Sequence, residues 1–154
     1  EMGVDATQAR RAGLLHDIGR RAGVTGMRHL IDGYNHMIGL KEPEIARICL
    51  THSFASQNVE HFEGKHDCTA EQKTFIKDFV ENRVYDNYDK LIQLCDAISL
   101  PEGACIMEKR FVDVALRYGV QEYTTTRWRA YMDLKKYFDS LCGCDIYTLL
   151  PKLI

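Results

Sequence analysis

Helix breakers are scarce in this chain. Its 154 residues include three prolines, Pro43, Pro101 and Pro151. Between them apolar residues recur mostly at three- and four-residue intervals, the spacing of one face of an α-helix. No convincing pair of strands, no repeat and no low-complexity stretch interrupts that pattern. The pattern predicts an all-α chain of about seven or eight helices, and its length fits one domain with a real core.

Local signals place the helices. Asp5 followed by Gln8 resembles a capping arrangement and starts a helix to about Ile18. Ala6, Ala9, Gly13 and His16 share one face of it, small enough for a neighbouring helix to pack close to His16. A second helix runs from about Arg28 to Ile38. Pro43 suits the first position of a third, with Glu44 in its first turn and Ile45, Ile48, Cys49 and His52 on one face. Ser53 to Asp67 reads as a polar loop or short helix. Thr69 and Gln72 form a capping box for a helix to about Val84. Tyr88 to Leu100 follows, nearly apolar all round. Met107 to Tyr118, Thr126 to Leu141 and a short apolar tail from Ile146 to Ile154 complete the set. Trp128, Tyr131, Met132, Phe138 and Leu141 form a stripe read as core packing, with a homodimer face or pocket wall as the alternative.

Charge and cysteines narrow the partners. A net charge of -2 argues against a broad nucleic-acid or anionic-membrane surface and leaves room for a local basic pocket. No apolar run reaches the roughly 20 residues of a membrane span, and the first ten residues are too polar for a signal peptide. The six cysteines include no C-x-x-C pair. They read as small core residues in a reducing, cytoplasmic setting.

The chemistry concentrates at His16-Asp17-Ile18-Gly19, where an imidazole and a carboxylate stand together at the end of a helix. The plain reading is a histidine on the helix dipole and an aspartate capping the next segment. A second His-Asp pair, His66-Asp67, is a control: it lies in polar sequence just before a capping box and reads, like His61, as loop. Asp96 strengthens the metal reading at the first pair. Its helix offers almost no polar face, so its carboxylate is expected to be buried. Lys90 and Arg110 are not spaced to pair with it along a helix. His29, opening His29-Leu30-Ile31-Asp32-Gly33, and His52, ending the third helix, lie in similar apolar or helix-end contexts. Together these mixed imidazole and carboxylate groups suit one or two divalent ions of Fe, Mn, Zn, Co or Ni. His36 and Asp32 read as a solvated helix face.

The order His16-Asp17, His29 opening an H-x-x-x-G segment, His52 and then Asp96 resembles the HD superfamily of metal-dependent phosphohydrolases. Leu14-Leu15-His16-Asp17-Ile18-Gly19 is similar to its signature, and the segment from Tyr88 to Asp96 to the helix carrying its last metal aspartate. The two intervening histidines resemble the two-metal branches, among them the YqeK-type dinucleoside tetraphosphate hydrolases. The resemblance covers about residues 5–100. The segment from Glu108 to Gly119 is similar to the tail of uncharacterised HD-domain proteins, so 101–154 forms a C-terminal helical extension within one domain spanning 1–154. HD proteins carry a further metal histidine one helix earlier, and none precedes His16. With Glu1 rather than Met at the start, the expectation is that this helix lies upstream.

The resemblance implies hydrolysis of a phosphoester or phosphoanhydride in a nucleotide or other small phosphorylated metabolite by metal-activated water. Asp17 would be the shared ligand and, with His16, the catalytic centre. His16 and Asp96 would complete one metal site, and His29 and His52 a second. Arg20 and Arg21 would bind substrate phosphate, with solvated surface arginines as the alternative. Lys109, Arg110 and Arg117 are weaker candidates. The competing expectation is a non-catalytic HD-fold module that binds a ligand or protein. No Gly-Tyr-Pro segment follows the histidines, so cleavage of cyclic-di-GMP is not implied.

Overall fold

The computed structural model describes residues 3–150 and 152–154. Its helices are α1 (Ala6–Leu15), α2 (Arg28–Gly39), α3 (Pro43–Thr51), α4 (Ala70–Glu81), α5 (Asn87–Ala97), α6 (Met107–Tyr118) and α7 (Thr124–Cys142), with short 3-10 turns at Ile18–Ala22, Val59–His61 and Ile146–Leu149. The all-α expectation holds, and no described helix is long and apolar enough to cross a membrane. The caps form as the sequence predicts. Asp5 accepts the Gln8 amide at 2.8 Å, and Thr69 and Gln72 close a full capping box on α4.

Several boundaries differ. The first helix stops at Leu15 rather than Ile18, because the chain turns at His16-Asp17 into the 3-10 segment. The fourth ends at Glu81 rather than Val84. The fifth ends at Ala97 rather than Leu100, because the chain beyond it forms a strand pair the sequence did not suggest. Ser99–Leu100 (β1) and Gly103–Ala104 (β2) pair antiparallel around Pro101-Glu102. A φ of +144° at Gly103 is a conformation that suits glycine. Ser53 to Asp67 is less polar in its role than in its composition, since Phe54, Val59 and Phe62 are buried there.

Four apolar clusters of described residues bind the helices, and one of them, Met37 with Ile45, Ala46 and Cys49, joins α2 to α3. Ala12, Ile48 and Ile92 join α1, α3 and α5. Met27, Leu30, Leu50, Phe54, Ile76 and Val80 tie α2 and α3 to α4. Leu94, Ile98, Met107, Phe111, Tyr131 and Phe138 bind α5 to the C-terminal pair. Tyr131 and Phe138 of the α7 stripe are therefore core, while Trp128 and Met132, partly buried against that cluster, also wall a surface groove with Phe111 and Val112. Leu141 departs from the core, being 40% exposed.

The packing that positions the site is close. A Cβ on Gly19 would lie 1.9 Å from the His29 carbonyl oxygen and 2.6 Å from the Gly33 nitrogen. Only glycine lets the turn after Asp17 rest on the first turns of α2, which is the physical use of the His29-x-x-x-Gly33 spacing. Behind His52, Arg47 of α3 reaches Asp89 of α5 at 2.5 Å, Thr51 donates to the same carboxylate at 2.7 Å, and Gln93 donates to the Thr51 carbonyl at 2.8 Å. This buried network fixes the end of α3, and so His52, against α5.

Candidate metal and anion site

Each of three histidines is oriented by a backbone carbonyl one turn earlier in the chain. His16 Nδ1 lies 2.7 Å from the Gly13 oxygen. His29 Nδ1 lies 2.6 Å from the Gly26 oxygen. His52 Nδ1 lies 3.1 Å from the Cys49 oxygen. A carbonyl only accepts, so each Nδ1 must carry a proton, and in the neutral ring the lone pair is left on Nε2. For His52 neutrality is enforced. Burial first, then the neighbouring His16 and His29, hold its pKa well below the ordinary 6.5, against the pull of Asp17.

The Nε2 atoms converge on Asp17. Its Oδ1 lies 3.2 Å from His29 Nε2 and 3.6 Å from His52 Nε2. The two imidazole nitrogens are 3.5 Å apart. Ligand atoms of His16, Asp17 and His52 all lie within 4.8 Å of one another. Asp17 Oδ2 is taken by Arg20 Nε at 2.6 Å, while Oδ1 is buried without a hydrogen-bond partner. Burial opposes the charge on Asp17, but His29, His52 and Arg20 outweigh it, and the carboxyl lies well below the ordinary carboxylate range. The same surroundings push the Cys49 thiol up to about 12, by burial first and then by the Asp17 charge, so Cys49 stays a thiol.

When the rings are neutral, the anionic Oδ1 faces the Nε2 lone pairs of His29 and His52; a proton on His29 Nε2 would instead donate to that oxygen. Acceptors aimed at one another repel unless something positive lies between them. One proton would satisfy a single contact. A divalent cation would satisfy all of them, with a mixed nitrogen and oxygen donor set that suits a borderline transition metal.

Asp96 differs from expectation. Its carboxylate is 31% exposed and 3.8 Å from Arg110 Nη2, with His16 Nε2 at 4.0 Å. Helix spacing rules see only neighbours on the same helix. Arg110 approaches from α6, so the pairing expected to be absent is made between helices. Arg21 also lies elsewhere: its guanidinium meets the His36 ring at 3.0 Å, in a separate surface hollow that also includes Asp32. Lys109 is exposed.

Above the histidines lies a polar cleft walled by Arg20, Arg110, Arg117 and Arg127, with Asp17, Asp96 and Glu63 among its other lining groups. Two of its residues escaped the sequence reading. Glu63 and Arg127 form an ion pair between the loop after α3 and helix α7, with side chains 3% and 14% exposed. They are 64 positions apart, so no local spacing could announce them. A more apolar groove lies apart from this chemistry, where Ala12 of α1 and Pro43 and Ile48 of α3 face Tyr88 of α5. Set beside known proteins, the chain matches no family model, no curated protein and no solved structure.

Proposed function

We propose that this chain is a metal-dependent phosphohydrolase of the HD type. It would cleave a phosphoester or phosphoanhydride in a nucleotide or another small phosphorylated metabolite. The observation that carries the reading is the unpartnered, buried Asp17 Oδ1 facing the imidazole nitrogens of His29 and His52. The sequence resemblance to the HD superfamily and the arginine-walled cleft support it.

His16, Asp17 and His52 form the nearest donor set, and His29 adds a nitrogen beside Asp17. A divalent ion of Fe, Mn, Zn, Co or Ni held by these residues would supply Lewis-acid activation of water and of a phosphoryl group. The chain's own residues do the rest. Carbonyl contacts at Nδ1 lock the ring orientations. Arg20 occupies Asp17 Oδ2 and so directs Oδ1 inward. The arginines of the cleft receive the negative substrate.

A second reading, a non-catalytic module of the same fold, is favoured by one observation: Asp96 is engaged by Arg110. Metal analysis of the protein with a screen of phosphomonoesters and nucleotides separates the two. The expected result is bound transition metal and turnover in the wild type. Asp17→Ala should remain folded, lose the metal and fall by about a thousandfold in rate, the several kcal/mol that such a centre supplies. Full turnover in Asp17→Ala would end the assignment.

A further inference from the structure

The cleft arginines are not equivalent. Arg20 and Arg117 have side chains 47% and 45% exposed, so water competes for their donors. Arg127 is largely withdrawn from solvent, at 14%. Glu63 takes its Nη1. Its guanidinium lies over the Tyr131 ring, 5.0 Å from the centroid, and Nη2 is 3.5 Å from the Tyr131 hydroxyl. Tyr131 is itself buried in the α5–α6–α7 core. Burial opposes the charge of Arg127, and Tyr131, Glu63 and Asp96 outweigh it. The fork is thus preset on a rigid helix, and a guanidinium has five donors, of which Glu63 uses only part. A contact to an anion made in such low-dielectric surroundings is stronger than one made by a solvated arginine.

Building on the phosphohydrolase reading, we propose that Arg127 is a substrate-binding residue. It takes a phosphoryl oxygen of the anionic substrate, with Arg110 beside Asp96 as its neighbour and Glu63 as the positioning residue that aims it. The C-terminal helices α6 and α7 then complete the site rather than merely covering the core.

Calorimetric titration of the whole chain with inorganic phosphate, with and without manganese, tests this. The wild type should bind phosphate. Arg127→Gln should bind it about tenfold more weakly or worse, as expected for loss of a charge-assisted contact. Lys136→Gln, at an exposed position on α7, should match the wild type. Arg127→Lys keeps a charge for Glu63 but loses the planar fork, and should fall between. If Arg127→Gln does not fold, the double variant Glu63→Gln/Arg127→Gln leaves no carboxylate unpaired and meets the same criterion. Absence of phosphate binding in the wild type, or wild-type affinity in a folded Arg127 variant, overturns the inference. Failure of manganese to bind the wild type would instead sink the hydrolase reading and leave an Arg127-dependent phosphate site standing.

Discussion

The chain contains the dipeptide His-Asp twice, and the two copies do opposite things with the same groups. Asp67 spends both carboxylate oxygens on backbone donors, accepting from the Gly26 amide at 2.7 Å and the Arg28 amide at 2.8 Å. It caps α2 from 41 residues away. Asp17 leaves one oxygen buried and unpaired among imidazoles. His66 is exposed, whereas His16 turns back on its own helix and meets His52 with ring centroids 4.8 Å apart. A satisfied carboxylate is structural, and an unsatisfied one is available for chemistry. The copies are also linked. Asp67 fixes the entry to α2, and the Gly26 carbonyl held there orients His29, so the structural copy supports the chemical one.

The sharpest way to break this contrast is at the glycine that presses the first copy onto α2. Gly19→Ala would set a methyl group 1.9 Å from a backbone oxygen, which cannot rotate away. The expected cost is about 3 kcal/mol, the upper end for overpacking, read as a lower urea midpoint. Manganese affinity should fall with it, because Asp17 is pushed from His29. Retained affinity at reduced stability would show that the turn after Asp17 does not set the cluster.

At the second copy the expected loss is smaller and of another kind. Asp67→Ala removes two capping bonds and should cost about 1–2 kcal/mol. Manganese affinity should stay within about fivefold of wild type, under 1 kcal/mol, since Gly26 also packs against Lys65 and its carbonyl remains near His29. Loss of metal equal to that in Asp17→Ala would erase the distinction between the copies.

What the sequence discloses follows the range of the forces involved. The caps at Asp5 and Thr69 and the start of α3 at Pro43 depend on residues three or four positions apart, and each was legible. So was the gathering of His16, Asp17, His29 and His52, because each stood at a helix end or on an apolar face. Asp96 shows the limit. The apolar run around it implied burial, yet α5 turns Cys95 and Asp96 towards its more open side and buries Asp89 and Gln93 instead. The buried polar pair behind His52, Asp89 with Arg47, spans 42 positions. Glu63 with Arg127 spans more. Pairing at that range depends on how helices dock, which no residue interval encodes.

The smallest expected effect is a pH slope belonging to the first copy's surroundings. His52 is buried and its pKa in the folded chain lies below the ordinary 6.5. Once pH falls under 6.5, the unfolded chain takes up a proton at this position that the folded chain refuses. The unfolded state then binds more protons, so stability declines as pH drops, and it is fully present above 6.5. Metal-free wild-type protein should therefore lose urea stability between pH 7.5 and 5.5, and His52→Gln should show a flatter profile over the same interval. The second copy's own imidazole, His66, is exposed, and Asp67 is lowered by its backbone donors against the opposing effect of burial. The Asp67 contribution instead fades only as pH falls below its ordinary 3.8, well outside that interval. Asp67→Ala should accordingly keep the wild-type slope from pH 7.5 to 5.5 at a lower overall stability. An equal flattening in both variants would mean that the slope is a property of the whole fold and not of the imidazoles gathered around Asp17.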